Sequence, residues 1–214
     1  MLKAVIFDLD GVVVDTVKLH YAAWKKMFDE YGVYFDFEIY KQKVDGIVRN
    51  DGARNVLSHL KENQIVEAAS KKEKYFLEKI SSQGIDIYDD AIVLIKKLKK
   101  ENVKIGVISS SKSCKMILEK IDLLKDIDTV VSGKDIKNGK PHPEIFLKAV
   151  KNMDLKSQEC IGIEDAILGI DAVKNAGMKA IGIDRYNDPA RLNKADIVVS
   201  DLSKITVEQM RQLI

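Results

Sequence analysis

The chain has 214 residues, of which 46% are hydrophobic and 32% charged, a balance typical of a folded globular protein with room for one domain and an insertion. The formal charge of +2 is too near balance to favour nucleic acid as a partner, and no apolar run reaches the ~20 residues that a membrane span needs. Cys114 and Cys160 are too few for a disulfide framework and show no metal-like spacing, so we expect a reduced, cytoplasmic protein. We also expect a monomer without a membrane or nucleic-acid partner.

The first predicted element is a buried strand that ends in two carboxylates. Residues 4–7 are apolar, and Asp8 and Asp10 follow with a single leucine between them. Residues i and i+2 of an extended chain point to the same side, so both carboxylates would converge at the strand tip. Such a pair repels unless a positive group lies between the two or one keeps its proton. Gly11 then permits a sharp turn. A lone Asp-x-Asp also occurs in solvated acidic turns, so the interpretation depends on the partners found downstream.

A helical region follows the first strand. The apolar spacing predicts a helix over 18–31, which Gly32 ends. From residue 37 to about residue 80 the pattern stays helical, and we expect Gly46 and Gly52 to interrupt it. No part of this region has the alternation of a strand.

From residue 84 onwards, predicted helices and strands alternate. The strands are expected at 103–108, 129–131, 160–163, 179–183 and 197–199. The helices are expected at 90–100, 113–121, 143–152, 166–176 and from 206 onwards. This alternation predicts βαβ units and therefore an α/β fold with a doubly wound parallel sheet.

These two patterns define a domain organisation. We predict an α/β core domain formed by residues 1–15 and 87–214, and a helical cap domain formed by residues 16–86. An insertion directly after the first strand would lie over the carboxyl ends of the strands, where open parallel sheets bind their ligands. The inserted helices are therefore a candidate lid.

Polar side chains follow the predicted core strands at the points where the strands end. The set consists of Asp8, Asp10, Ser109, Lys140, Glu164 and Asp165. The carboxyl ends of parallel strands meet at one edge of a sheet, so we expect these groups to lie together. Carboxylate oxygens suit a hard cation such as Mg²⁺, while a hydroxyl and a fixed ammonium suit phosphate oxygens. The sequence therefore predicts a site for phosphoryl chemistry.

Each member of this set also has a purely structural interpretation. Ser109 fits a helix cap, Lys140 a surface lysine, and Glu164 with Asp165 the first turn of a helix, where acids complement the dipole. Their occurrence together at the strand ends, in this order, favours the functional interpretation.

The sequence resembles the haloacid dehalogenase superfamily over essentially its whole length. The resemblance lies in Asp8-Leu9-Asp10-Gly11-Val12-Val13-Val14-Asp15-Thr16, in Ser109, in Lys140 before a proline, and in Glu164-Asp165 followed by Gly169. Within that superfamily it is similar to the β-phosphoglucomutase-like subfamily. That similarity lies in His20-Tyr21-Ala22-Ala23-Trp24, in Gly46 and Arg49, and in Ser111-Lys112.

The resemblance implies roles for the core residues. Asp8 would be the nucleophile that becomes an aspartyl phosphate, and Asp10 the general acid/base. Asp10 needs a raised pKa to donate a proton, and we expect Asp8 and the phosphate it carries to raise it. The implied metal ion is Mg²⁺, held by Asp8, the backbone carbonyl of Asp10, and Asp165, with Glu164 close by. The implied phosphate-binding residues are Ser109, Ser110 and Lys140.

The resemblance also implies that cap residues recognise a small sugar phosphate. His20 would place Asp10 when the lid closes, and Trp24, one helical turn further on, would line the sugar site or pack inside the cap. Arg49 would bind the phosphate that is not transferred, although a plain surface arginine is the alternative. The remaining implied substrate contacts are Gly46, Lys71, Ser111 and Lys112.

One departure from the family pattern leaves the acceptor of the phosphoryl group open. Val48 stands where the family usually has a small hydroxyl residue before its arginine, and the segment 44–52 resembles lid loops of hydrolases. The two leading hypotheses are a β-phosphoglucomutase, with a sugar hydroxyl as acceptor, and a sugar-phosphate phosphatase, with water. A sensor without catalysis would not need the acid/base Asp10, and nucleic-acid binding has only the lysine-rich run 96–100 in its favour.

Overall fold

The computed structural model describes all 214 residues and contains one six-stranded sheet. The strands are β1 (Ala4–Asp8), β2 (Lys104–Ser109), β3 (Thr129–Ser132), β4 (Cys160–Glu164), β5 (Lys179–Ile183) and β6 (Ile197–Val199). Their order is β3-β2-β1-β4-β5-β6, and every neighbouring pair is parallel. The central strand β1 therefore lies between β2 and β4, and the predicted parallel sheet is confirmed.

Nine α-helices accompany the sheet. They are α1 (Val17–Glu30), α2 (Phe37–Lys43), α3 (Arg49–Val56), α4 (Glu62–Gln83), α5 (Asp89–Lys100), α6 (Cys114–Lys120), α7 (Glu144–Asn152), α8 (Ile167–Asn175) and α9 (Val207–Gln212). None of them combines the length and the apolar character that a bilayer crossing requires.

Both faces of the sheet are buried, which explains why β1 is apolar at every position before its terminal aspartate. Val5 and Phe7 point into an apolar cluster with helices α5, α6 and α9, whereas Ala4 and Ile6 point into a second cluster with α7 and α8. Since neighbouring side chains of a strand face opposite sides, a strand covered on both faces needs a continuous apolar run. Helices on both faces make the sheet doubly wound, as predicted.

Helices α1 to α4 pack around an apolar cluster of their own. Trp24 and Phe28 of α1 stack with ring centroids 5.3 Å apart, and Phe35 and Tyr40 complete this aromatic centre. A separate core is what an independent domain requires. We therefore keep the proposed division into a core (1–15 and 87–214) and a cap (16–86), and we use the two words in this sense below.

The predicted α/β elements all occur, with ends shifted by at most one residue. One expectation for the cap is wrong. Gly46 does lie between α2 and α3 with φ +69°, but Gly52 lies inside α3. Its role is close packing, because a Cβ at this position would lie 3.1 Å from the ring of Trp24. A glycine that makes room for a neighbouring ring has the same appearance in the sequence as one that ends a helix.

Candidate active site

Three neighbouring strands end in polar residues at the same edge of the sheet. Asp8 is the last residue of β1, Ser109 of β2 and Glu164 of β4. The parallel registers pair Asp8 with Ile108 and Phe7 with Ile163, so the three strand ends lie side by side. A cleft between this edge and the cap is lined by residues of both parts.

A buried acidic cluster forms the floor of the cleft. Asp8, Glu164 and Asp165 each place one carboxylate oxygen within 4.8 Å of the others. Lys140 donates from Nζ to Asp8 Oδ1 at 2.5 Å and also to Glu164 Oε1. Burial raises the pKa of Asp8 and of Asp165, and Lys140 opposes the shift in both.

This cluster fits a divalent cation. Its three carboxylates face one ammonium, and Oδ2 of Asp165 is buried without a hydrogen-bond partner. A buried carboxylate oxygen without a partner is costly, and a hard cation with oxygen ligands would satisfy it. The predicted metal residues are thus brought together, with the side chain of Asp10 turned to other partners.

Two glycines make room for the carboxylates. A Cβ at Gly11, where φ is +86°, would lie 2.1 Å from Asp165 Oδ2. A Cβ at Gly169, in the first turn of α8, would lie 2.0 Å from the carboxyl carbon of Glu164. Both contacts are far shorter than van der Waals distance, so any side chain at either position would displace a carboxylate.

Asp10 accepts three side-chain hydrogen bonds. Thr16 Oγ1 donates to Oδ1 at 2.5 Å, Ser109 Oγ donates to Oδ2 at 2.7 Å, and His20 Nε2 lies 3.1 Å from Oδ1. Burial favours a raised pKa for Asp10, but His20 and the hydrogen bonds from Thr16 and Ser109 outweigh it and hold the pKa below its usual range. Without a phosphate on Asp8, the donors stabilise the ionised carboxylate of Asp10 more than burial destabilises it. The expectation of a raised pKa for Asp10 concerns Asp8 with the phosphate it carries and stays a prediction.

A lysine behind His20 fixes the tautomer of the imidazole. Lys72 Nζ lies 2.7 Å from His20 Nδ1, and the imidazole stacks on Phe76 with centroids 3.8 Å apart. Since an ammonium only donates, Nδ1 accepts and the ring hydrogen lies on Nε2, from which it points at Asp10. Burial and the charge of Lys72 lower the pKa of His20, and burial lowers the pKa of Lys72 to about 8.

The structure places Lys71, a predicted substrate contact, outside the cleft and the next residue inside it. Lys71 is partly exposed and lies 3.6 Å from Glu30 and 3.6 Å from Glu67, outside the cleft. Lys72 lines the cleft instead. One residue rotates a helix by ~100°, and only Lys72 shares the buried stripe of Ala68 and Phe76 at i−4 and i+4.

The three serines at the end of β2, residues 109–111, make different contacts. Ser109 is fully buried and donates a hydrogen bond to Asp10, so it acts on the site by holding that carboxylate. Ser110 donates from Oγ to the carbonyl of Gly46 at 2.7 Å, which ties the core to the cap, and Ser111 lines the cleft. The structure does not bring Lys112 to the cleft. Its side chain is exposed, because it faces outwards at the turn before α6.

Trp24 and Arg49 bring the cap into the cleft. Trp24 is only 3% exposed. It packs in the cap and also lines the cleft, so packing inside the cap and lining a substrate site are compatible for this residue. Arg49 places Nη1 3.2 Å from Glu73 Oε2, while its Nε is buried without a partner.

Sequence reasoning missed several residues that line the cleft or bond to its groups. They are Thr16, Tyr40, Asp45, Lys72 and Glu73. Burial raises the pKa of Asp45 to about 6, against the opposing charge of Arg191. Lys72 had a usable signal in its place in an otherwise apolar helical stripe, and Thr16 had one as the last residue of the first motif. Nothing in the sequence distinguishes Tyr40, Asp45 and Glu73 from polar residues with a structural role.

Comparison with known proteins identifies relatives of the whole chain. A family model described as haloacid dehalogenase-like hydrolase matches residues 5–183. A β-phosphoglucomutase from Bacillus subtilis is 32% identical over 220 residues, which cover 99% of this chain and 95% of the relative. A phosphorylated carbohydrates phosphatase from Thermotoga maritima is 26% identical and covers 84% of each chain.

A solved structure also matches. The crystal structure of a β-phosphoglucomutase from Clostridium difficile superimposes with a TM-score of 0.90 at 34% sequence identity. The match covers 99% of this chain and 96% of that one. The likeness therefore extends over both the core and the cap.

Proposed function

Because this chain belongs to the haloacid dehalogenase-like hydrolase family, we propose that it transfers the phosphoryl group of a small sugar phosphate through an aspartyl phosphate on Asp8. The particular reaction that we propose is that of a β-phosphoglucomutase, which interconverts β-glucose 1-phosphate and glucose 6-phosphate through the bisphosphate. The observation that carries the proposal is the position of Asp8. Its carboxylate lies at the strand end, next to Lys140 Nζ and two residues before Asp10, whose carboxylate accepts from three donors.

In the first half-reaction, an oxygen of Asp8 attacks phosphorus, the phosphorus–oxygen bond to the sugar breaks, and the sugar oxygen takes the proton of Asp10. In the second, a hydroxyl attacks the aspartyl phosphate and returns a proton to Asp10. The low pKa of Asp10 in this structure keeps its carboxylate ionised, which is the form that can accept a proton in the second step. In the first step, the negative charge of the substrate's phosphate next to Asp8 would raise the pKa of Asp10 and favour its protonated form.

Lys140 would place a fixed positive charge at the reacting end of the substrate. Its ammonium is buried and bonded to Asp8, so it lies where phosphate oxygens would gather. The clustered carboxylates of Asp8, Asp165 and Glu164 would hold Mg²⁺. The resemblance to the family adds the backbone carbonyl of Asp10 to the ligands. When bound, Mg²⁺ neutralises charge on the transferring phosphoryl group and reduces its repulsion from Asp8.

Support for a mutase comes from the whole-chain likeness to two β-phosphoglucomutases and from the cap contacts of Asp10. A mutase must keep water from the aspartyl phosphate until a sugar hydroxyl arrives. The cap supplies His20 to Asp10, so the base is completed only where the cap meets the core.

The second candidate is a sugar-phosphate phosphatase, and Val48 favours it. Val48 offers no hydroxyl to a sugar, and it packs on the core loop beside Lys140, where a Cβ at Gly139 would lie 2.5 Å from Val48 Cγ2. The Thermotoga maritima relative is described as a phosphatase of phosphorylated carbohydrates.

One mixing experiment separates the two candidates. The protein is incubated with Mg²⁺, β-glucose 1-phosphate and a trace of glucose 1,6-bisphosphate, and both glucose 6-phosphate and free phosphate are followed. Glucose 6-phosphate without matching phosphate release supports the mutase, and free phosphate without glucose 6-phosphate supports the phosphatase. Asp8→Asn should abolish both products; a fully active variant would refute phosphoryl transfer through Asp8.

A further inference from the structure

An ion pair between two cap helices lies inside the cleft. Glu73 of α4 places Oε2 3.2 Å from Nη1 of Arg49, at the start of α3. Its other oxygen, Oε1, accepts a hydrogen bond of 2.6 Å from Ser113 Oγ of the core. Both carboxylate oxygens are thus engaged, and the side chains of Arg49 and Glu73 are each only 17% exposed.

Arg49 is the only arginine that lines the cleft, and it retains unused donor capacity. Its Nε is buried without a partner, so the guanidinium is incompletely satisfied by Glu73. A guanidinium in this state, in a cleft that also holds Asp8, is suited to bind an anionic group at the end of a substrate away from the reacting phosphate.

Glu73 is ionised and close enough to oppose such a group. Burial alone would raise its pKa, but Ser113, Lys72 and Arg49 hold the pKa of Glu73 below its usual range. A phosphate bound to Arg49 would therefore lie next to a fixed carboxylate in a largely buried place, where repulsion is weakly screened.

We propose that Glu73 is a specificity-determining residue that disfavours a second anionic group at the Arg49 end of the cleft. The proposal rests on the proposed function, since it presumes that the cleft takes a sugar phosphate, but it holds for either acceptor. In a phosphatase, Glu73 selects substrates with one phosphate and neutral hydroxyls at the other end. In a mutase, it weakens the hold on the bisphosphate.

The test is a binding measurement with glucose 1,6-bisphosphate in the Asp8→Asn background, which prevents turnover. We expect Glu73→Gln to lower the Kd for the bisphosphate about tenfold or more, because an isosteric neutral amide replaces a repelling charge. Titration calorimetry in the presence of Mg²⁺ measures it. Loss of a merely structural contact would raise the Kd, so the direction of the change separates the two roles.

Two further variants make the result specific. Glu78→Gln, on an exposed position of the same helix, is the matched control and should change the Kd less than about twofold. In an Arg49→Met background, the gain from Glu73→Gln should shrink to less than about twofold, because the second phosphate is no longer held beside Glu73. Glu73→Asp keeps the charge and should show no gain, and circular dichroism confirms that each variant is folded.

The outcomes distinguish the two proposals. An unchanged or higher Kd in Glu73→Gln, or a gain that persists without Arg49, overturns the role of Glu73 while the sugar-phosphate site stands. If neither glucose 1,6-bisphosphate nor β-glucose 1-phosphate binds to any variant, the proposed function falls, and the role of Glu73 falls with it.

Discussion

The two walls of the cleft are built on different principles. On the core wall, Asp8, Ser109 and Glu164 are terminal residues of adjacent strands, and backbone hydrogen bonds fix their relative positions. On the cap wall, His20 and Lys72 come from separate helices and are placed by packing and by side-chain contacts. The core wall can therefore hold charges rigidly, whereas the cap wall can change its relation to them.

This difference predicts that the largest loss of stability comes from the core wall. Lys140→Met should lower the free energy of unfolding by about 3–5 kcal/mol, because it leaves Asp8 and Glu164 buried without their shared ammonium. Urea denaturation followed by circular dichroism, in the presence of a chelator, measures it. A loss below about 1 kcal/mol, the worth of a surface ion pair, would show that the buried arrangement is wrong.

On the cap wall, we expect a loss of activity rather than of stability. Lys72→Met should reduce kcat/KM about 100-fold, because His20 loses the donor that fixes its tautomer toward Asp10. Lys71→Met, the adjacent and exposed residue, is the matched control and should remain within about twofold. Equal losses in the two variants would contradict the helical phase described here.

The smallest expected effect is a pH dependence from the cap wall. Burial lowers the pKa of Lys72 to about 8, against the charges of Glu73 and Asp10 that raise it and that of Arg49 that lowers it. The lysine therefore loses its proton as pH rises through about 8, and kcat/KM should fall on that alkaline side. We expect a decrease of up to about tenfold per pH unit, measured at constant ionic strength. A profile in Lys72→Met that keeps the same alkaline limb would assign it to another group.

The sequence predicted the core wall well for a physical reason. A parallel sheet brings strand ends to one edge, so a polar residue after an apolar run already defines a position in space. Asp8, Ser109, Glu164 and Asp165 could be placed in this way. Lys140 lies on a loop, and its motif rather than its periodicity indicated it.

The cap wall was harder to predict. Its contacts depend on the rotational phase of α4 and on how the cap sits over the sheet, and neither is encoded by local propensity. Lys71 and Lys72 are adjacent and chemically identical, yet only one faces His20. Glu73 has the pattern of a solvated helix residue, because a single sequence does not distinguish a charged residue inside a cleft from one on the surface. The oligomeric state and the cellular location stay predictions.

The three donors to Asp10 come from different parts of the molecule, and only one of them belongs to the sheet. Ser109 belongs to the sheet, whereas Thr16 directly precedes α1 and His20 lies on α1. Two of the groups that lower the pKa of Asp10 therefore depend on where the cap lies, and only Ser109 is held by the sheet. The protonation of the base is set by the contact between core and cap as well as by the carboxylate itself.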